Sequence, residues 1–107
     1  MSAKQQQEIF NSKVDSLLSN FKAQKQENVF PQYILSTSAG KMEIHVHLPQ
    51  RSNVFSIYCK VEDKNKAGPH LRDYENYDPY TGKFNFHGMN YEWVLSKFEA
   101  ALKKIIN

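Results

Sequence analysis

Four histidines and one tyrosine-rich stretch hold most of the chemically versatile side chains of this chain. The stretch is RDYENYDPYTGKFNFHG, residues 72–88, with Tyr74, Tyr77 and Tyr80 at three-residue intervals among Asp73, Glu75 and Asp78. His45 and His47 stand two residues apart, a spacing that puts both on the same face of a strand. His87 falls on the polar side of a later alternating run, so three imidazoles could approach one another as a zinc site requires. Against that, the sequence has no HExxH, no paired cysteines and no spaced carboxylate triad. No metal and no cofactor are therefore expected, and the histidines read as polar positions of a half-exposed sheet.

Covalent catalysis has less behind it. The single Cys59 alternates in phase with Phe55 and Ile57, which predicts a buried thiol and not a nucleophile. The chain carries no GxSxG elbow, no GxxxxGK[ST] phosphate loop and no GxGxxG fingerprint. Asp73, Glu75 and Asp78 are crowded on one irregular segment, not placed in two environments that would split their pKa values. The expectation is a protein that is not an enzyme, with no catalytic residues.

Composition sets the frame for whatever positions these groups. A length of 107 residues, 40% hydrophobic and 13% aromatic, predicts one domain over residues 1–107 with a packed core. The lone cysteine excludes an internal disulfide framework and fits a reducing compartment. No apolar run reaches the about 18 residues that span a bilayer. The opening MSAKQQQEIF lacks the apolar core of a signal peptide, so a cytoplasmic protein without a membrane partner is expected. The net charge is +3, yet basic residues are spread along the chain, and only Arg51 and Arg72 are arginines. That distribution is a poor footprint for nucleic acid.

Ser2 and Gln5 form a capping-box pattern, and Phe10, Val14, Leu17, Leu18 and Phe21 follow as one helical stripe. The helix is expected to stop near Glu27 or Asn28, ahead of Pro31. The period then changes to two. Tyr33–Ser38 predicts a strand, Ala39-Gly40 a tight turn, and Met42, Ile44, Val46 and Leu48 the inner side of a second strand. Pro49–Asn53 predicts a turn, Phe55, Ile57, Cys59 and Val61 a third strand, and Phe84 with Phe86 a short fourth. Asn90 then caps a last helix with the apolar face Val94, Leu95, Phe98, Ala101, Leu102, Ile105 and Ile106. The expected fold is α+β, in the order α-β-β-β-β-α: a four-stranded antiparallel meander with the N- and C-terminal helices packed on one face.

The connection from Glu62 to Lys83 is long for a compact domain, and connections of that length often carry function. Gly68-Pro69 and Asp78-Pro79 predict that it holds no helix. Asp78 and Pro79 suit the first two positions of a type I turn, with Gly82 releasing the chain into the fourth strand. Tyrosine is enriched at protein interfaces, so this connection is the leading candidate for a partner-binding surface. Its members would be Arg72, Asp73, Tyr74, Glu75, Tyr77, Asp78 and Tyr80, with the carboxylates steering a basic protein partner. The competing possibility is that the tyrosine rings fold onto the core as a lid. A second candidate is the polar sheet face, where Lys41, His45, His47, Arg51, Tyr58 and Lys60 could bind nucleic acid by stacking and charge. An edge of the short fourth strand could also pair with its copy in a homodimer.

The run Gly82-Lys83-Phe84-Asn85-Phe86-His87 before an amphipathic C-terminal helix resembles small proteins of bacteriophages and mobile elements. Those proteins carry a GK-aromatic-N-aromatic-H segment ahead of their last helix. The resemblance spans the final quarter of the chain and implies an accessory or inhibitory role on a host machine.

Overall fold

A computed structural model describes residues 2–27, 32–47, 54–71 and 77–106. Three helices and five strands follow one another: α1 (Ala3–Asn20), β1 (Gln24–Lys25), β2 (Tyr33–Thr37), β3 (Gly40–His47), β4 (Phe55–Val61), α2 (Lys64–Leu71), β5 (Lys83–Gly88) and α3 (Tyr91–Ile106). The strands form one antiparallel sheet in the order β1-β2-β3-β4-β5. The α+β meander is as expected, with one strand more than the sequence pattern suggested. Leu48, the predicted Pro49–Asn53 turn with Arg51, and Arg72, Asp73, Tyr74 and Glu75 lie outside the described residues, as do the side chains of His47 and His70.

The extra strand follows from where α1 stops. Ser2 accepts from Gln5 N at 3.2 Å and Gln5 Oε1 accepts from Ser2 N at 3.0 Å, so the helix starts at the predicted box. It ends at Asn20 and not near Glu27. Lys22 takes φ 62, its N–H reaches Ser19 O at 3.0 Å, and Ala23 N reaches Leu18 O at 2.9 Å. This is the Schellman arrangement, normally built on glycine, and a lysine there leaves no glycine to read in the sequence. The freed chain then lays Gln24 and Lys25 against Ile34 and Tyr33 as β1.

Cross-strand register puts Tyr33, Ile44, Cys59 and Phe84 in one row, Leu35, Met42 and Val61 in a second, and Val46, Ile57 and Phe86 in a third. All are buried on one face, where Phe10, Val14 and Leu18 of α1 and Val94, Phe98, Leu102 and Ile105 of α3 close over them. Ser38 N and Oγ both donate to Ile105 O, which gives the last turn of α3 a partner on the β2–β3 turn. Cys59 is buried as its phase predicts, and burial pushes its thiol well above the usual range. No helix among the described residues is long and apolar enough to cross a membrane.

α2 corrects the expectation of a helix-free connection. Asp63 Oδ1 accepts from Asn65 N at 3.0 Å and Lys66 N at 3.1 Å, capping the first turn. Ala67 and Leu71, one turn apart, are fully buried, while Pro69 is exposed in the last turn. Pro69 removes one backbone bond, and the burial of Leu71, worth about 1.5–3 kcal/mol, works against that loss together with the buried Ala67 and the Asp63 cap.

Asp15 joins three elements. Its Oδ1 accepts from Tyr33 Oη at 3.0 Å and lies 3.1 Å from Lys25 Nζ. The Lys25 hydrogen bond, then that of Tyr33, holds its carboxyl below the usual range. Desolvation, helped by Asp15, pushes the Tyr33 hydroxyl up to about 12. A carboxylate depressed on folding contributes its stability above the unfolded pKa of about 3.9 and loses it as pH falls further. A phenol raised on folding contributes below about pH 10 and loses its contribution as pH climbs to the folded value. Urea midpoints should therefore fall at both extremes, with Asp15→Asn flattening the acid limb and Tyr33→Phe the alkaline one. An unchanged acid limb in Asp15→Asn would contradict the assignment.

Candidate functional site

Both helices flanking the meander, α1 and α3, cover the same face. By register with the buried rows, the other face carries Ile34, Ser36, Lys41, Glu43, His45, Ser56, Tyr58, Lys60, Lys83, Asn85 and His87; Lys41, Glu43, Tyr58, Lys60, Lys83 and His87 are exposed there, whereas His45 is half-buried and Ser56 is buried. Of the second sequence candidate, Lys41, His45, Tyr58 and Lys60 are thus brought to one surface. His45 stands directly opposite Tyr58, and Tyr58 opposite Asn85. His47 and His87 flank Ser56 in one row, two strands apart, and His70 lies on α2. Among the described residues no group of three His, Cys, Asp or Glu side chains is placed to hold a metal.

The tyrosine-rich connection divides into two roles. Tyr77 is 9% exposed, its ring packs edge-on to Phe84 at 6.1 Å between centroids, and its hydroxyl donates to Lys64 O at 3.1 Å. It lies on the core as a lid, and desolvation raises its hydroxyl pKa. Tyr80 is 83% exposed, the most exposed large apolar side chain among the described residues.

The backbone beneath Tyr80 is held at several points. Asp78 Oδ1 accepts from Tyr80 N at 2.9 Å and Oδ2 from Thr81 Oγ1 at 3.0 Å. These bonds, the Tyr80 N–H first, keep the Asp78 carboxyl below the usual range. Asp78 N donates to Lys83 O at 2.8 Å, and Lys64 Nζ donates to Tyr80 O at 2.8 Å. Gly82 N reaches Asp78 O at 2.9 Å, one residue further than the closing bond of a four-residue turn. The Asp78–Lys83 pairing also covers part of the outer edge of β5, the edge on which pairing with a second copy would depend.

Gly82 is the backbone requirement of this turn. Its φ is +76, and a Cβ there would stand 3.0 Å from Val61 Cγ2 and 3.1 Å from Val61 O. Gly82→Ala should cost about 1–2 kcal/mol from backbone conformation alone, with the Val61 contact adding to it. Urea unfolding measures this; unchanged stability would contradict the geometry.

Two open depressions meet at Lys60. One, of about 520 Å³, is bordered by Glu43, His45, Tyr58, Lys60, Asp78, Lys83 and Asn85. The other, of about 590 Å³, is bordered by Lys60, Glu62, Asp63, Lys64, Lys66, Tyr80 and Thr81. Lys64, Lys66 and Lys83 were outside the sequence-based site: Lys64 and Lys66 stand on α2, which the Gly-Pro pair concealed, and Lys83 stands on β5 opposite Lys60. A separate exposed pair, Met89 and Trp93, sits at the start of α3, with Lys97 Nζ 5.8 Å from the Trp93 ring centroid.

The chain matches no known protein family, no curated protein and no solved structure.

Proposed function

We propose that this is a non-enzymatic binding protein that docks a protein partner through the Tyr80 turn and the sheet face beside it. The observation that carries this reading is an 83% exposed tyrosine on a turn fixed by five hydrogen bonds. A rigid aromatic anchor loses little conformational freedom on docking, which is where interface hot spots gain their strength. Tyr77 serves it from below by pinning the connection to the core. Tyr58, exposed on the adjoining sheet face, extends the surface.

A protein partner is favoured over nucleic acid because lysines and carboxylates alternate around the two depressions. The resemblance of the last quarter to phage and mobile-element proteins supports a component of a host machine as that partner. Affinity capture from the native host, with a nuclease-treated sample in parallel, tests the reading. A captured protein should survive nuclease and disappear with Tyr80→Ala. Capture that vanishes on nuclease treatment would point to nucleic acid instead.

A further inference from the structure

We propose that the partner segment docked beside Tyr80 is acidic and extended, carrying carboxylates at alternate positions that meet Lys60, Lys66 and Lys83. This rests on the docking-surface reading and reverses the polarity expected from the sequence, where Asp73, Glu75 and Asp78 suggested a basic partner.

Three of the four described carboxylates at this corner, Glu62, Asp63 and Asp78, are held by the fold, and the fourth, Glu43, stands opposite Lys60. Glu62 Oε2 accepts from Lys41 N at 2.8 Å, and Asp63 caps α2 through Asn65 N and Lys66 N. Asp78 serves Tyr80 N and Thr81. Each faces backbone or hydroxyl donors that take up much of its field. The lysines are differently placed. Lys64 Nζ reaches a backbone carbonyl, whereas Lys60, Lys66 and Lys83 have no ion-pair partner among the described residues. Lys60 and Lys83 stand directly opposite each other across β4 and β5, an arrangement that is unfavourable until an anion comes between them. Glu43, opposite Lys60 on its other side, offsets this only in part.

The mixture of charges selects the kind of anion. A nucleic-acid backbone carries a phosphate charge on every nucleotide, so Glu43, Glu62, Asp63 and Asp78 would oppose it along the corner. An extended peptide varies its side chain at each same-face step of about 6.6 Å, so it can set carboxylates against the lysines and neutral residues against the acids. The same segment can bring an apolar residue against the Tyr80 ring.

The test titrates the full-length, isotope-labelled protein with three probes: a peptide bearing glutamate at alternate positions, its lysine counterpart, and oligothymidylate. The glutamate peptide should bind, shift the amides of Lys60, Lys64, Lys66 and Thr81, and weaken with added salt. Lys60→Glu with Lys66→Glu should lower its affinity by about tenfold or more, while Lys13→Glu on α1 leaves it unchanged. Tighter binding of the lysine peptide or of oligothymidylate, or no binding of the glutamate peptide, would overturn the proposal. If the glutamate peptide fails while Tyr80→Ala still abolishes capture, only the charge assignment falls; if capture is indifferent to Tyr80 as well, the docking surface falls with it.

Discussion

Replacing Phe55 with alanine should lower the stability of the protein by about 3–5 kcal/mol. Phe55 is 1% exposed, and its ring meets Phe10 at 5.1 Å and Tyr91 at 5.6 Å, both edge-on. Those three rings belong to β4, α1 and the first turn of α3, so one side chain joins both helices to the sheet. Truncation removes its burial and leaves a cavity that three separate elements would have to collapse together to fill. Domains of ordinary stability hold only about 5–15 kcal/mol in total, so this single change should bring the fold near its limit. Urea unfolding reads the effect as a lower midpoint with a preserved slope. A loss below about 1 kcal/mol would mean that the helices do not share this contact.

Tyr80→Ala should have the opposite profile. The side chain is 83% exposed, so its loss should leave stability within about 0.5 kcal/mol. The hydrogen bonds of the turn run through the Tyr80 backbone and the side chains of Asp78, Thr81 and Lys64, and alanine keeps all of them. Partner affinity should fall by about 2–4 kcal/mol, or roughly 30- to 1,000-fold, as expected for a central aromatic anchor. Isothermal titration with the captured partner gives this number directly. A change under about threefold would remove Tyr80 as the anchor.

Much of the fold was legible in the sequence because two periodicities are clean in it. Met42, Ile44 and Val46, then Phe55, Ile57, Cys59 and Val61, alternate without interruption, and register places them in shared buried rows. The Ser2–Gln5 box and the Asn90 cap fixed two helix starts, Asn90 Oδ1 accepting from Glu92 N at 3.0 Å and Trp93 N at 3.2 Å. Two elements were hidden for opposite reasons. α1 ends early at a left-handed Lys22, where tertiary packing of Leu18 and Ala23 overrides a residue type that normally avoids that conformation. α2 exists although Gly68-Pro69 speaks against it, because Asp63 caps it and Ala67 and Leu71 bury its inner side.

The candidate site was half legible. Tyrosines at three-residue spacing were visible, but spacing cannot tell which ring is covered. Tyr77 reaches both the Phe84 ring on β5 and Lys64 O at the start of α2, whereas the Tyr80 side chain is left exposed. The lysines around Tyr80 come from β4, α2 and β5, and only the folded chain gathers them.

The central claim is that two tyrosines three residues apart do different work, Tyr77 holding the fold and Tyr80 holding a partner. Thermal melting and partner capture of Tyr77→Ala and Tyr80→Ala, run side by side, test it most directly. Tyr77→Ala should lose about 3 kcal/mol and still capture the partner at temperatures where it is folded. Tyr80→Ala should melt with the wild type and capture nothing. Retained capture by Tyr80→Ala, or a melting point lowered as far as that of Tyr77→Ala, would contradict the account.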